Sequence, residues 1–409
     1  MDLLTKTYLF YSFSSIYFIS LFLLIYLQNK KEMFEIKNPK KYFSLSIVIP
    51  CYNEGDSIGE TIQRLLDSDY KNLKKIIVVD DCSKDNSYDI IKKIAKKYPR
   101  VFACQTPKNT GCAAGAKNFG AKFVNTELIG FSDGDSFPEK NAISNMVGFF
   151  NDEKVGAVTS RVLVRNRNKL IEKLQSIEYK VIAFTRKLLG FVDGIYVTNG
   201  PLSIYRKKIF DEINGFDDKN LTEDIEITWN IVSKGYLIHM SLSSLVYTVV
   251  PSNIKSWFRQ RIRWNVGGLQ TINKYKKKWF KCGMLGSFIL PFFSFSWILA
   301  IFGILVLIYR IIRITIIRTL SFSYSAKVNT ALLTMKEINL SPNALLFFGI
   351  ATLFMGLFLT LLAISYSKEK DFKKQGIFMI LNYTFFYLLL YPIILITSIY
   401  KYLRGYKSW

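Results

Sequence analysis

Residues 44–55 read SLSIVIPCYNEG, a short β-branched run that reaches a proline and is followed at once by polar residues. The same pattern recurs in KKIIVVDD (74–81), VFACQT (101–106) and ELIGFSD (127–133). Short apolar runs rich in β-branched residues and bounded by turn-forming residues are typical of buried strands. This part of the chain therefore contains four predicted strands of one kind.

The segments between these runs have helical spacing. SIGETIQRLLDS (57–68) places its apolar side chains on one stripe, and helices are also predicted over 87–98 and 114–124. Strands that alternate with helices predict an α/β fold with a largely parallel sheet and crossover helices on both faces. The first strand–helix turn contains no G-x-G-x-x-G, which disfavours a dinucleotide-binding fold.

A polar cluster follows each predicted strand: CYNEG (51–55), DDCSKDNS (80–87), PKNTGCAAG (107–115) and DGDS (133–136). In an open parallel sheet, ligands bind beyond the carboxyl ends of the strands. Four polar clusters at four corresponding places therefore predict a binding site at one edge of the sheet.

The fourth cluster contains two carboxylates, Asp133 and Asp135, one residue apart in a chain of formal charge +24. Two like charges at a strand end repel each other unless a cation lies beside them. Hard divalent ions prefer oxygen ligands and often share them with substrate phosphates. The pair therefore indicates Mg²⁺ or Mn²⁺, which would neutralise charge on a departing diphosphate.

Four segments stay uncharged for longer than a bilayer requires: 7–29, 282–309, 338–367 and 375–400. A spanning helix needs about 20 apolar residues, and a buried core helix seldom avoids charge for so long. The first run is too long for a signal peptide and lacks a cleavage site, so an uncleaved anchor is expected. The sequence predicts a multi-pass protein of the cell (plasma) membrane.

Basic residues set the expected orientation. The segment NKKEMFEIKNPKK directly follows the first span, whereas only Lys6 precedes that span, so the N-terminus is expected outside the cell. The expected domains are one span in 1–29, a cytoplasmic domain over 30–253, amphipathic interface helices over 254–281, and about three spans over 282–409. Residues 310–337 are also basic, and the sequence leaves open whether they form a further membrane element.

Lys and Arg number 55 against 31 Asp and Glu, a balance that suits nucleic acid, an anionic membrane surface or a phosphorylated ligand. The basic residues cluster beside the predicted spans and no nucleic-acid motif is present, so nucleic acid is not an expected partner. Five cysteines without a C-x-x-C, together with a single histidine, His239, disfavour a zinc site.

Seven motifs between residues 45 and 268 resemble those of the inverting glycosyltransferases of family 2, which have a GT-A fold. They are IVIPCYNEG, VVDDCSKDNS, KNTGCAAGAKN, FSDGDSF, VTNGPLSIYRK, LTEDIEITWNIVSKGY and RQRIRWNVGG. TED together with Q-x-x-R-W resembles the membrane branch, which includes hyaluronan, poly-N-acetylglucosamine and cellulose synthases. The resemblance implies a Rossmann-like GT-A domain fused to a helical transmembrane region.

The resemblance also implies roles for individual residues. Either Asp80 or Asp81 would contact the uracil or ribose of a UDP-sugar, and the adjacent pair does not reveal which one faces inward. Lys117 would approach the nucleotide, Asp133 would meet the nucleotide-sugar, and Asp135 would ligate Mg²⁺ or Mn²⁺.

Asp224 of the LTED motif would be the general base. Inversion requires an acceptor hydroxyl to attack opposite the leaving UDP, and a positioned carboxylate must remove its proton. Strand alternation would aim the neighbouring Glu223 elsewhere. An alternative interpretation of TED is a helix start capped by Thr222. Both interpretations are compatible, since a capped helix start also fixes a carboxylate.

Gln260, Arg263 and Trp264 of QRIRW are expected to bind substrate. Arginine offers planar donors that match phosphate oxygens, and an indole offers a flat face for a sugar ring. The alternative is a membrane-surface helix, because residues 254–281 hold nine Lys or Arg and no acid. One helix could serve both purposes.

The expected function is that of an inverting, processive membrane β-glycosyltransferase (a hexosyltransferase). It would use a UDP-sugar, with UDP-N-acetylglucosamine as one candidate, to extend a growing glycan and export it through the bilayer. An accessory subunit or a homo-oligomer is an expected partner, because three or four helices form a narrow pore. The alternatives are a single transfer to a lipid acceptor such as a polyprenyl phosphate, and a non-catalytic membrane scaffold or transporter.

Overall fold

The computed structural model describes residues 3–328, 344–366 and 376–406. Parts of three predicted membrane features therefore lie outside the described residues: 329–337, the first residues of the span at 338–367, and the basic loop at 367–375. The described helices of eight or more residues are α1 (Leu3–Asn29), α2 (Ile58–Leu66), α3 (Ser87–Lys97), α4 (Ala113–Ala121), α6 (Leu170–Gly190), α8 (Glu223–Ser233), α9 (Ile254–Tyr275), α10 (Leu290–Val328), α11 (Ala344–Ser365) and α12 (Ile377–Leu403).

Two shorter α-helices complete this set, α5 (Ser144–Val147) and α7 (Lys207–Glu212). The strands are β1 (Leu45–Cys51), β2 (Leu73–Asp80), β3 (Val101–Gln105), β4 (Leu128–Phe131), β5 (Ser136–Pro138), β6 (Val155–Val164), β7 (Ser203–Arg206) and β8 (Leu237–Thr248). They form one eight-stranded sheet in the order β3-β2-β1-β4-β7-β6-β8-β5.

Half of the sheet has the predicted parallel arrangement. Strands β3, β2, β1 and β4 are parallel neighbours, with Ile47 of β1 opposite Ile76 of β2 and Gly130 of β4. The other half is mixed, because β7 pairs antiparallel with both β4 and β6, while β6 and β8 run parallel. The sequence did not predict this mixed half. The GT-A, Rossmann-like α/β prediction is confirmed.

Alternation along β1 places the two sides of the core. Leu45, Ile47 and Ile49 belong to one apolar cluster, which also contains Ile58 and Ile62 of α2. Side chains of opposite parity, such as Val48, belong to the other cluster. Burial of an aliphatic side chain of this size contributes roughly 1.5–3 kcal/mol, so the first of these clusters holds α2 against the sheet.

The second cluster joins the sheet to the apolar helices. Tyr26 of α1 and Tyr366, directly after α11, share a hydroxyl hydrogen bond of 2.8 Å. Both rings pack against Phe184 of α6, with centroid separations of 5.8 and 5.7 Å. The apolar helices and the α/β domain are therefore packed into one core.

Within the described part of the chain, four helical segments are long and apolar enough to cross a membrane: Thr5–Asn29, Leu285–Val328, Phe347–Ser365 and Phe378–Leu403. α10 has 39 residues, about 58 Å at 1.5 Å per residue, against a hydrocarbon core of about 30 Å. Residues 310–328 continue this same helix, so the described part of the segment left open by the sequence is helical throughout.

Candidate active site

A cavity of about 870 Å³ opens where the carboxyl ends of β1, β2 and β4 meet the starts of α8 and α9. Nearly all of the residues singled out in the sequence line it: Asp81, Lys117, Asp133, Asp135, Asp224, Gln260, Arg263 and Trp264. Asp80 does not line it. The polar strand ends therefore converge as the parallel half of the sheet requires.

The adjacent pair Asp80 and Asp81 points in two directions. Asp81 faces the cavity and accepts hydrogen bonds from the Thr106 hydroxyl at 2.7 Å and from the Thr110 amide at 3.0 Å. Asp80 is fully buried and accepts from the Gln105 amide nitrogen at 2.8 Å. Asp81 is thus the member of the pair that could reach a nucleotide.

Asp133 and Asp135 occupy the turn between β4 and β5. A Cβ atom on Gly200 would overlap the Asp133 carboxylate, so a larger residue in the VTNGP loop would require the Asp133 side chain to move. Burial, together with the carboxylates of Asp133 and Glu54, raises the pKa of Asp135 to about 7. Burial also raises the pKa of Glu54, with a contribution from Asp133.

These carboxylates fit a hard divalent cation, because a cation would relieve the repulsion that contributes to the raised pKa values of Asp135 and Glu54. Within 3–328, 344–366 and 376–406, no three His, Cys, Asp or Glu side chains lie close enough to hold a metal by themselves. A metal bound at Asp135 would therefore take further ligands from its substrate.

The TED motif forms the start of α8. Asp224 is half-buried in the cavity wall and accepts from the Ile225 amide at 2.9 Å. Burial and the neighbouring Glu223 raise the pKa of Asp224 to about 7. α8 begins directly after Thr222, but the Thr222 side chain makes no capping hydrogen bond. The helix therefore starts at the expected residue, but without the expected side-chain cap from Thr222.

Glu223 also lines the cavity, although strand alternation was expected to turn it away. Alternation does not apply, because Glu223 is the first residue of a helix. Its carboxylate accepts from Lys117 Nζ at 2.8 Å, and both side chains are buried. Lys117 Nζ also lies 3.5 Å from Asp133, so this lysine joins the DGD turn to the TED motif.

QRIRW lies on α9, whose start is capped by Asn253 accepting from the Ser256 amide at 2.9 Å. A Cβ atom on Gly267 of this helix would overlap the Thr222 side chain. The glycine therefore allows α9 to approach α8 closely and brings Trp264 to the same cavity as Asp224.

Sequence reasoning missed several residues of the cavity. Glu54 belongs to the first polar cluster, but its carboxylate was not assigned. Three tyrosines of α12 also line the cavity, together with Phe293 and Trp297 of α10: Tyr383, Tyr387 and Tyr391. Their i, i+4, i+8 spacing was the available signal, although such a stripe inside an apolar span is equally typical of helix packing.

Comparisons with known proteins agree with this geometry. Residues 46–214 match the family described as glycosyl transferase family 2. A poly-beta-1,6-N-acetyl-D-glucosamine synthase of Staphylococcus aureus (strain MSSA476) is 28% identical over 260 residues, which is 63% of this chain and 62% of that protein. A probable glycosyltransferase of Bacillus subtilis (strain 168) is 32% identical over 278 residues, 66% of each protein.

A mannosyltransferase of Pyrobaculum calidifontis, solved in complex with GDP-Man and Mn²⁺, covers 98% of this chain and 99% of its own with a TM-score of 0.63 at 17% identity. This likeness concerns the fold. The alignment with the Staphylococcus aureus synthase spans only 62% of that protein's length. The matched domain, the shared motifs and the GT-A sheet together place this chain in glycosyltransferase family 2.

Proposed function

We propose that this protein is an inverting membrane β-glycosyltransferase that uses a UDP-sugar to extend a polysaccharide and passes the product into its own membrane helices. One observation carries the proposal. A single cavity runs from the acidic strand ends, past Asp224, to the tyrosine stripe of α12. Donor, acceptor hydroxyl and growing chain could therefore occupy one continuous space.

Asp224 is proposed as the general base. It would remove the proton from the acceptor hydroxyl as that oxygen attacks the anomeric carbon and the bond to UDP breaks. A base with a pKa near the working pH accepts this proton efficiently, and the pKa of Asp224 is raised to about 7 by burial and by Glu223. Lys117 keeps Glu223 ionised beside it, because this lysine counteracts the effect of burial on the pKa of Glu223.

The donor would occupy the strand-end side of the cavity. Asp81 would contact the nucleoside, Asp133 the nucleotide-sugar and Arg263 the diphosphate oxygens, since guanidinium donors match phosphate. Asp135 would hold Mg²⁺ or Mn²⁺, with Glu54 and Asp133 beside it. When bound, this metal would stabilise the charge that develops on the leaving diphosphate.

The acceptor would occupy the side toward the membrane helices. Trp264 would support a sugar ring, with Gln260 beside it on α9, and the tyrosines of α12 would continue the aromatic surface. N-acetylglucosamine is proposed as the transferred sugar, because the Staphylococcus aureus relative is a synthase of a β-1,6-linked polymer of that sugar.

The proposed location is the plasma membrane. The α/β domain would face the cytoplasm, where nucleotide-sugars are made, with the N-terminus outside. The proposed domain boundaries are those expected from the sequence: 1–29, 30–253, 254–281 and 282–409. An accessory subunit or a second copy of the chain would widen the helical path.

The deciding experiment uses the full chain in detergent or lipid nanodiscs with radiolabelled UDP-sugars and Mn²⁺ or Mg²⁺. We expect UDP-N-acetylglucosamine to yield long polymer. Chelation with EDTA should stop the reaction, and added metal should restore it. Asp224→Asn is the matched control, because it should still bind UDP.

Three outcomes would contradict parts of this proposal. If the product is a single lipid-soluble species, the reaction is one transfer to a lipid acceptor and not the extension of a polymer. Full activity in EDTA would show that the reaction needs no metal at Asp135. Turnover by Asp224→Asn at the wild-type rate would show that Asp224 is not the general base.

A further inference from the structure

A buried ion pair lies in the cavity wall beside α12. Arg261 of α9 donates from Nε to Glu178 Oε1 of α6 at 3.0 Å, and its Nη2 donates to Oε2 of the same carboxylate. Only 1% of the Arg261 side chain and 7% of the Glu178 side chain are exposed. The pair is therefore a desolvated, bidentate ion pair with fixed geometry.

Arg261 also contacts two residues of the QRIRW motif. Its Nη1 donates to Gln260 Oε1 at 2.6 Å, and its guanidinium carbon lies 4.0 Å from the centre of the Trp264 ring. A guanidinium over an indole is held by electrostatic attraction and by its own planarity. Arg261, which the Q-x-x-R-W pattern leaves unspecified, thus restrains the indole.

The same carboxylate contacts α12, one of the helices that are apolar enough to span a bilayer. Tyr387 of α12 donates its hydroxyl to Glu178 Oε2 at 2.7 Å, and its ring packs on Trp257 of α9 at a centroid distance of 5.7 Å. Glu178 therefore joins three elements at one point: a helix of the α/β domain, the helix carrying QRIRW, and a helix apolar enough to span the bilayer.

Stability alone explains this arrangement poorly. Apolar side chains of similar volume usually stabilise a core as well as a buried ion pair does, or better. A planar hydrogen-bonded pair, in contrast, holds its neighbours in one orientation. Glu178, Arg261 and Tyr387 all line the cavity on which Trp264 also lies.

We propose that Glu178, Arg261 and Tyr387 form a positioning unit that fixes the indole of Trp264 relative to α12, so that an acceptor sugar resting on Trp264 is aligned with the tyrosine stripe. The inference rests on the proposed function. None of the three residues performs the transfer. The unit sets how well the acceptor is held and how long the product grows, while donor binding does not depend on it.

The test uses the full-length variants Tyr387→Phe, Glu178→Gln and Arg261→Lys. Tyr387→Phe removes a single hydroxyl and keeps the ring, so it should fold. Because hydrogen bonds to charged groups are among the stronger ones, we expect the KM for a short N-acetylglucosamine oligosaccharide acceptor to rise about tenfold. UDP affinity should stay within about twofold, and the polymer should be shorter.

The variant Arg261→Lys tests whether the planar guanidinium or only the positive charge at position 261 is needed to position Trp264. Lysine keeps the positive charge but loses the planar fork, so it should resemble Tyr387→Phe and should not restore acceptor affinity. Tyr402→Phe is the matched control, because Tyr402 is on α12 and does not line the cavity. It should behave as the wild type.

A second readout does not depend on activity. With 5-fluorotryptophan incorporated, the ¹⁹F resonance of Trp264 is identified by its loss in Trp264→Phe. It should shift or broaden in Tyr387→Phe and Arg261→Lys but not in Tyr402→Phe. An unchanged resonance, or lower thermal stability with unchanged acceptor KM and product length, would overturn the inference.

Absence of any transfer by the wild type would contradict the proposed function instead.

Discussion

Lys117 is a buried cation that contacts two carboxylates of the cavity. Only 3% of its side chain is exposed, and the side chain lies between Glu223 and Asp133. Burial by itself would lower the pKa of this lysine, but the carboxylates of Glu223 and Asp133 hold the pKa above its ordinary value. The lysine is therefore a permanent cation that keeps two motifs together.

Lys117→Met should destabilise the domain, because it leaves Glu223 ionisable and buried without a partner. Loss of one member of a buried pair costs about 3–5 kcal/mol, which thermal denaturation in detergent would detect. The control is the double variant Lys117→Met with Glu223→Gln, which removes both charges and should recover much of the loss. Equal destabilisation in the single and double variants would contradict this account.

Asp224 should make the reaction depend on pH. Its folded-state pKa is raised to about 7, and only the deprotonated carboxylate can accept a proton. We expect kcat/KM to rise with pH up to a plateau, with a midpoint near 7, and to fall tenfold per pH unit well below it.

The measurement is a pH series of initial rates at saturating metal. Asp224→Asn should lower the rate by about 10²–10⁴-fold and leave UDP affinity unchanged at every pH. A wild-type profile that is flat between pH 5 and pH 8 would place the general base elsewhere.

At the scale of elements, the spacing of α8 and α9 decides whether TED and QRIRW share a cavity. The two helices are close because Gly267 faces Thr222 directly and leaves no room for a Cβ atom. Catalytic geometry is sensitive to displacements of about 1 Å. The separation of these two helices is therefore expected to set the rate.

Gly267→Ala should push α9 away from α8 and reduce transfer by about 10²-fold, while the domain still binds UDP. Gly356→Ala is the matched control, since Gly356 also lies within a helix and a Cβ atom there would meet nothing within 4 Å. Initial rates and UDP affinity for both variants test this. Wild-type activity in Gly267→Ala would show that the helix spacing tolerates the change.

At the scale of the molecule, the predicted orientation can be tested at an exposed thiol beside an apolar helix. Cys282 is exposed and lies just before the apolar segment Leu285–Val328. A membrane-impermeant maleimide should label it in inverted vesicles and not in intact cells, because basic flanking segments stay on the cytoplasmic side. Cys282→Ser identifies the labelled site, and labelling in intact cells would reverse the topology.

The sequence by itself determined the parallel half of the sheet, the polar strand ends and the apolar segments. These are local properties: a β-branched run, an amphipathic stripe or an uncharged stretch is visible within about 20 residues. Asp133 and Asp135 could be singled out for the same reason, and Asp224 was singled out by the resemblance of its short motif to a known family.

Only the tertiary structure decided which side chains meet. The choice of Asp81 over Asp80 at the cavity depends on where β2 ends, because Asp80 is the last residue of that strand and Asp81 the first residue of the loop that follows. The Lys117–Glu223 contact joins residues 106 positions apart, and the Tyr387–Glu178 contact joins residues 209 positions apart. A local pattern cannot specify such pairs, because their proximity arises only when the sheet, α6, α9 and α12 pack together.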